Sequence, residues 1–151
     1  MRRFATVTLS ALLAASATGA TGVQAKAMKW MDASGAGLPA GAKMAVVSGD
    51  PSKAGDFVIR AKFPANYAVP PHSHPGDETV RVVSAGQLSY GMGDKLDRAN
   101  VGSLTKGYHV TMAAGMNHYV FTTDPVEIQV SGKGPFAITY VDPKDDPRTA
   151  K

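Results

Sequence analysis

An all-β fold of the sandwich or barrel type is predicted by three features of the sequence. Apolar and polar residues alternate with a period of two, the segments are short and rich in β-branched and aromatic residues, and turn residues separate them at regular spacing. The 151 residues, 44% of them hydrophobic, suffice for one domain with a core and are too few for two. No stretch carries helical spacing over a useful length.

The alternation is clearest in "FVIRAKF", where Phe57, Ile59, Ala61 and Phe63 share one face and Val58, Arg60 and Lys62 the other. Arg60 and Arg81 are expected to face outward on this pattern. "TVRVVSA", "QLSYGMG", "YHVTM", "HYVFTT", "VEIQVSG" and "FAITYV" follow as further strands. The segments between them, such as "GMGDKLDRANVGS", "AAGMN", "TTDP" and "SGKGP", carry turn residues. Tyr90, Met92, Met112, Met116, Tyr119 and Phe121 are read as core, some of them lining a barrel mouth.

Residues 1–27 read as a secretory signal peptide. Arg2 and Arg3 supply the positive start, Phe4 to Ala17 a short apolar run, and Val23-Gln24-Ala25 and Ala25-Lys26-Ala27 two small-residue cleavage patterns. The run is shorter than the ~20 residues that span a bilayer. The paired arginines raise twin-arginine export, but "MRRFAT" matches that pattern weakly and general secretion is favoured. The mature chain is expected in the periplasm or outside the cell, with no membrane contact after signal cleavage.

The formal net charge of +4 belongs largely to that segment. Without Arg2, Arg3 and Lys26, 16 basic residues become 13, against 12 acidic ones. No basic cluster is interleaved with aromatics, which argues against nucleic acid as a partner. The chain has no cysteine, so disulfides, thiolate metal ligands and a lipoprotein anchor are excluded.

Residues 28–43 are read as an N-terminal arm rich in Gly and Ala. Trp30 is expected to dock on the barrel surface or at a subunit contact. The β-domain is placed at 44–142, and a polar, extended tail at 143–151.

Only four histidines are present, and two fall in "HSHPGDE". On a pleated strand His72 and His74 point the same way, about 6 to 7 Å apart. Pro75-Gly76 can bend the chain so that Glu78 swings back toward both rings. Two imidazole nitrogens and a carboxylate suit a borderline divalent cation. One strand cannot surround an ion, and His118, opening a strand after a Gly-containing turn, is the candidate further ligand. His109 lies in another strand with no partner at ligand spacing. Gln129 and Tyr67 are weaker candidates for ligand contact.

These residues carry a resemblance to the cupins, over roughly residues 40–142. That family's first motif is G-(x)5-H-x-H-(x)3-4-E-(x)6-G, and its second is G-(x)5-P-x-G-(x)2-H-(x)3-N. His72, His74 and Glu78 match the first motif, with Gly86 closing it one residue late; Gly107, Gly115 and His118 match the second. Asn66 stands at the first glycine, Ala113 at the proline and Thr122 at the final asparagine, all turn positions and not ligands. The chain is similar to small exported bacterial cupin-domain proteins.

The resemblance implies a double-stranded β-helix (jelly-roll) barrel holding one divalent transition metal (Fe, Mn, Ni, Cu or Zn) on His72, His74, Glu78 and His118. Four ligands of an octahedral ion leave about two positions for water, O₂ or a chelating molecule. A metal-dependent dioxygenase or isomerase acting on a small oxygen-rich molecule is one expectation. A non-catalytic periplasmic module binding metal or a small ligand is the other. The arm is a candidate to pair across subunits in a homodimer.

Overall fold

The structure, a computed structural model, describes residues 27–149. The expected signal peptide lies outside the described residues except for Ala27. Among the described residues eleven strands run in order: β1 (Met31–Asp32), β2 (Lys43–Ser48), β3 (Gly55–Phe63), β4 (Ala68–Ser73), β5 (Glu78–Val82), β6 (Leu88–Met92), β7 (Gly102–Leu104), β8 (His109–Met112), β9 (His118–Phe121), β10 (Val126–Gly134) and β11 (Thr139–Tyr140). Helical structure among the described residues is limited to two 3₁₀ turns, Ser34–Ala36 and Pro143–Asp145. No helix among the described residues is long and apolar enough to cross a membrane.

The strands form two antiparallel sheets. One has six strands in the order β1-β2-β3-β10-β5-β8, and the other five in the order β11-β4-β9-β6-β7. Chain neighbours β4 and β5 lie in different sheets, while β3 pairs with β10 across most of the sequence. This crossing of sheets is what a jelly-roll barrel requires.

The predicted alternation holds. Phe57, Ile59, Ala61 and Phe63 are buried, whereas Val58, Arg60 and Lys62 are partly or fully exposed. Val80 and Val82 of β5 join Ile128 and Val130 of β10 on the inner face, meeting Val69, Leu88 and Val120 of the opposite sheet. Each such aliphatic side chain contributes on the order of 1.5–3 kcal/mol by leaving water.

Three turn positions explain how the chain departs from the motif and keeps the fold. Asn66 adopts φ +56°, a left-handed conformation that Asn tolerates in place of glycine. Gly86 has φ +101°, and a Cβ there would stand 2.5 Å from the Pro125 carbonyl oxygen. The Thr122 hydroxyl is buried, donates to Pro64 O at 2.8 Å and accepts from Tyr67 N at 3.2 Å. It thereby ties β9 to the turn before β4.

The arm packs on its own barrel. Met31 and Asp32 pair with Met44 and Lys43. Lys62 Nζ sits 4.1 Å over the ring of Trp30, so that indole docks on the barrel surface. The Tyr67 hydroxyl donates to Pro39 O and the Tyr140 hydroxyl to Gly37 O, each at 2.7 Å. Burial pushes both phenols upward in pKa, which keeps their protons available for these bonds.

The tail is not extended throughout. Asp142 caps the turn Pro143–Asp145 through Lys144 N, and Arg148 folds back so that Nη2 donates to Ile138 O at 2.8 Å.

Two core assignments need correction. Tyr119, Met112 and Phe121 are buried, but Met92 and Met116 are 45% and 44% exposed. Both lie where a strand meets a turn, so their inward parity is lost at the barrel rim.

Candidate metal centre

His72 is the fifth residue of β4, His74 follows that strand's end, Glu78 opens β5 and His118 opens β9. β4 is an unusual strand because Pro70 and Pro71 cannot donate to a ladder. Its pairing with β9 shifts register between Val69 and His72, and resumes with His72 opposite His118. The irregularity leaves both rings on the inner face at one level. Pro75 and Gly76 then turn the chain across to the other sheet. The turn before His118 is tied to the same point, since Gly115 N donates to His74 O at 2.9 Å.

The three rings meet. Centroids of His72 and His118 lie 4.3 Å apart, those of His72 and His74 5.0 Å, and those of His74 and His118 5.1 Å. Each ring offers a ligand nitrogen, and these nitrogens fall within 4.8 Å of one another. Glu78 Oε2 reaches His74 Nε2 at 3.2 Å and His118 Nε2 at 3.3 Å. The structure thus brings together all four residues singled out from the sequence.

The other ring nitrogens decide the chemistry. His72 Nδ1 lies 2.7 Å from Pro70 O, His74 Nδ1 2.8 Å from Ala137 O, and His118 Nδ1 2.9 Å from Met116 O. A carbonyl oxygen can only accept, so each Nδ1 carries the proton and donates. In the neutral ring Nε2 is then a bare lone pair. Backbone carbonyls of this kind are the outer contacts that orient metal-binding histidines.

Three such nitrogens converging beside a buried carboxylate favour positive charge among them, whether a proton on a ring facing Glu78 or a metal ion. His74 Nε2, although within ion-pairing distance of Glu78, has no aligned hydrogen-bond partner. A misaligned, buried nitrogen of this kind is what a ligand waiting for a metal presents. The donor set of three imidazoles and one carboxylate fits a borderline divalent cation.

Protonation equilibria reflect the same geometry. Burial, reinforced by the neighbouring imidazoles of His118 and His74, drives His72 down to about 3 and keeps it neutral. Burial also pulls on His74, but the nearby Glu78 carboxylate and the Ala137 carbonyl outweigh it and raise the pKa. Burial would raise Glu78, yet contacts with His118 and His74 dominate and bring it to about 2, so it remains a carboxylate.

The centre opens into a cavity of about 340 Å³ between the sheets. Ile59, Val69, Val120, Ile128, Val130 and Ile138 form much of its wall. Phe136 stacks on His74 at 4.5 Å between centroids. The arm, through Gly35, Ala36 and Leu38, and the tail, through Arg148, also line it. Arg148 and Phe136 were not expected from the sequence. Their signal is tertiary, arising where the arm and tail meet at one opening and the segment after β10 lays Phe136 on His74.

Other candidates lie elsewhere. His109 is exposed and pairs with Arg81 at the sheet edge. Gln129 sits in register with Arg60 and Arg81 on the outer face, and does not line the cavity. Tyr67 is engaged with Pro39 and likewise does not line it. Arg60 lies near Glu127 at 3.6 Å, on the outward side as expected.

No model of a known protein family matches the chain, and no curated protein sequence matches it. Solved structures do match. An RmlC-like cupin from Shewanella frigidimarina superposes with a TM-score of 0.55 at 13% identity, over 70% of this chain and 83% of the other.

The chain has the cupin fold.

The DMSP lyase DddQ from Ruegeria pomeroyi matches this cupin barrel with a TM-score of 0.59 and 18% identity, over 75% of the chain and 60% of the lyase. The polyketide cyclase RemF from Streptomyces resistomycificus gives 0.54 and 15%, over 70% and 75%. At these identities the likeness establishes the cupin barrel and leaves the chemistry to the residues themselves.

Proposed function

We propose that this cupin barrel holds one divalent transition metal on His72, His74, Glu78 and His118 and acts on a small molecule bound in the adjoining cavity. The observation that carries the reading is the shared orientation of the three imidazoles, each with Nδ1 held by a backbone carbonyl. A bound cation would supply Lewis acidity toward oxygen donors of that molecule.

The protein's own groups do the rest. Glu78 contributes the negative charge, and the carbonyls of Pro70, Ala137 and Met116 hold the rings in one tautomer. The apolar wall keeps water from the site. The reaction expected is of the dioxygenase or isomerase type.

A binding role without catalysis is the second reading, and one observation favours it. Apart from the four proposed ligands, Arg148 is the only ionisable side chain lining the cavity among the described residues. Among the described residues no separate proton-transfer group faces the ligand space.

Retention of metal tests the site. His118→Ala and His72→Ala should each lose the ion, whereas His109→Ala should keep it. Equal retention in all three would refute the assignment. Oxygen uptake and product analysis with diketones and phenols, compared with Glu78→Ala, would separate the enzyme from the binder.

We also propose export to the periplasm or beyond, on the N-terminal pattern of Arg2, Arg3, Phe4–Ala17 and the small residues to Ala27. Mass spectrometry of the mature N-terminus, beginning after Ala25 or Ala27, is the check.

A further inference from the structure

We infer that the molecule taken up beside the metal centre is largely apolar and carries its oxygen donors at one end. This rests on the metal-site reading above, and narrows the ligand from any oxygen-rich molecule to one with a hydrophobic body.

The cavity walls decide it. Ile59, Phe63, Val120, Ile128, Val130 and Ile138 face the space, and Ser52 is the one side-chain hydroxyl lining it among the described residues. Hydroxyls of a sugar-like molecule buried there would lose water without gaining partners, at a cost of roughly 1–3 kcal/mol each.

Charge points the same way. Among the described residues Arg148 is the one cation lining the space outside the centre, and three of its five guanidinium N–H donors are already engaged. Nε donates to Asp146 Oδ1 and Nη2 to Asp146 Oδ2, each at 2.7 Å, and Nη2 also reaches the Ile138 carbonyl. A second carboxylate on the ligand would meet only the Nη1 edge of a guanidinium whose charge Asp146 already pairs.

The volume of about 340 Å³ stands at the lower end of small-molecule pockets, which run from ~300 to 1,000 Å³. A single ring or short branched chain bearing an enol, hydroxamate or similar chelating head fits this description. The head would face the four polar residues at one end, and the body would lie against the aliphatic wall.

Calorimetry on the zinc-loaded protein with benzohydroxamate, acetohydroxamate and gluconate tests the inference. The first two share a chelating head and differ in apolar body. Benzohydroxamate should bind at least about tenfold more tightly than acetohydroxamate, from the added buried carbon surface, and gluconate should bind most weakly. A metal-free arm uses indole, which should raise the melting temperature of the apo-protein while gluconate does not.

Ala61→Phe fills the cavity from β3, and Ala36→Trp blocks it from an exposed position on the arm. The second substitution leaves the core untouched. Both should abolish the indole shift and the benzohydroxamate advantage without changing metal content.

Gluconate binding as tightly as benzohydroxamate, or no indole shift in the metal-free protein, would overturn the inference. Failure to retain zinc and each of iron, manganese, nickel and copper in its place would instead overturn the metal reading, and the indole arm would still decide the character of the cavity.

Discussion

His74 and Ala137 are 63 residues apart in sequence, yet the Nδ1–H of the first donates to the carbonyl of the second at 2.8 Å. The next carbonyl along, that of Ile138, accepts from Arg148 in the tail. One short segment thus holds a proposed metal ligand with one peptide group and the cover of the cavity with its neighbour.

Removing the Arg148 side chain should loosen the cover more than the centre. Arg148→Ala loses the carbonyl bond and a partly exposed ion pair, together about 1 kcal/mol. That corresponds to a drop of a few degrees in melting temperature for a domain of this size. Metal content should be unchanged, and hydrogen exchange should quicken in residues 136–141. Unchanged exchange there would show that the tail does not brace this segment.

The pH dependence of the metal-free protein follows from opposed shifts. His72 stays neutral in the fold down to about 3, while the unfolded chain takes up its proton near 6.5. Stability therefore falls as pH drops below 6.5. The depressed Glu78 adds to this loss between 4.5 and about 2. His74, raised by Glu78, favours the fold below 6.5 and loses that contribution as pH climbs through its folded value. Urea midpoints of chelator-treated protein should peak near pH 6.5, and His72→Gln should flatten the acid limb. An acid limb unaffected by that substitution would contradict the assignment of His72.

Gly91 stands against the ring of Tyr119, where an added Cβ would lie 2.3 Å from the phenol carbon and oxygen. Tyr119 is fully buried and its hydroxyl is fixed to Asp97 O at 2.9 Å, so the ring cannot retreat cheaply. Gly91→Ala should destabilise the barrel by about 1–3 kcal/mol, in line with overpacking of a dense core. Gly35→Ala, with nothing within 4 Å, is the control and should be close to neutral. The two variants are compared by denaturant midpoint.

Tyr140→Phe removes the hydroxyl that holds Gly37 O at 2.7 Å and leaves a buried carbonyl without that donor. A loss of about 1–2 kcal/mol is expected. The proposed ligand nitrogens are not touched, so metal affinity at pH 7 should stay within about twofold. A large fall in affinity would show that the His72–Tyr140 ring contact, 5.8 Å between centroids, positions the ligand.

Much of the centre was legible because its information is local. His72 and His74 share a face through the period of two, and Pro75-Gly76 marks the bend that returns Glu78. His118 follows a glycine with φ +73°, the turn that sets it at the head of β9. The alternation in Phe57–Phe63 likewise announced the inner face of β3.

What remained hidden depends on distant pairs. The arm's placement on its own barrel rests on Tyr140 reaching Gly37, 103 residues away. Arg148 becomes a cavity residue only when the tail folds over the opening, and Phe136 only when the segment after β10 crosses to His74. The brief strand β7 lies within what reads as one long turn, and is held by three register partners on β6. Met92 and Met116 carry a core-like identity but sit at the rim, where strand parity no longer determines burial.

Elemental analysis of native-purified protein addresses the central claim most directly. About one transition-metal ion per chain is expected, lost on His118→Ala and restored to the wild-type chain after chelation and reloading. No bound ion, even after reconstitution with iron, manganese, nickel, copper and zinc in turn, would contradict it.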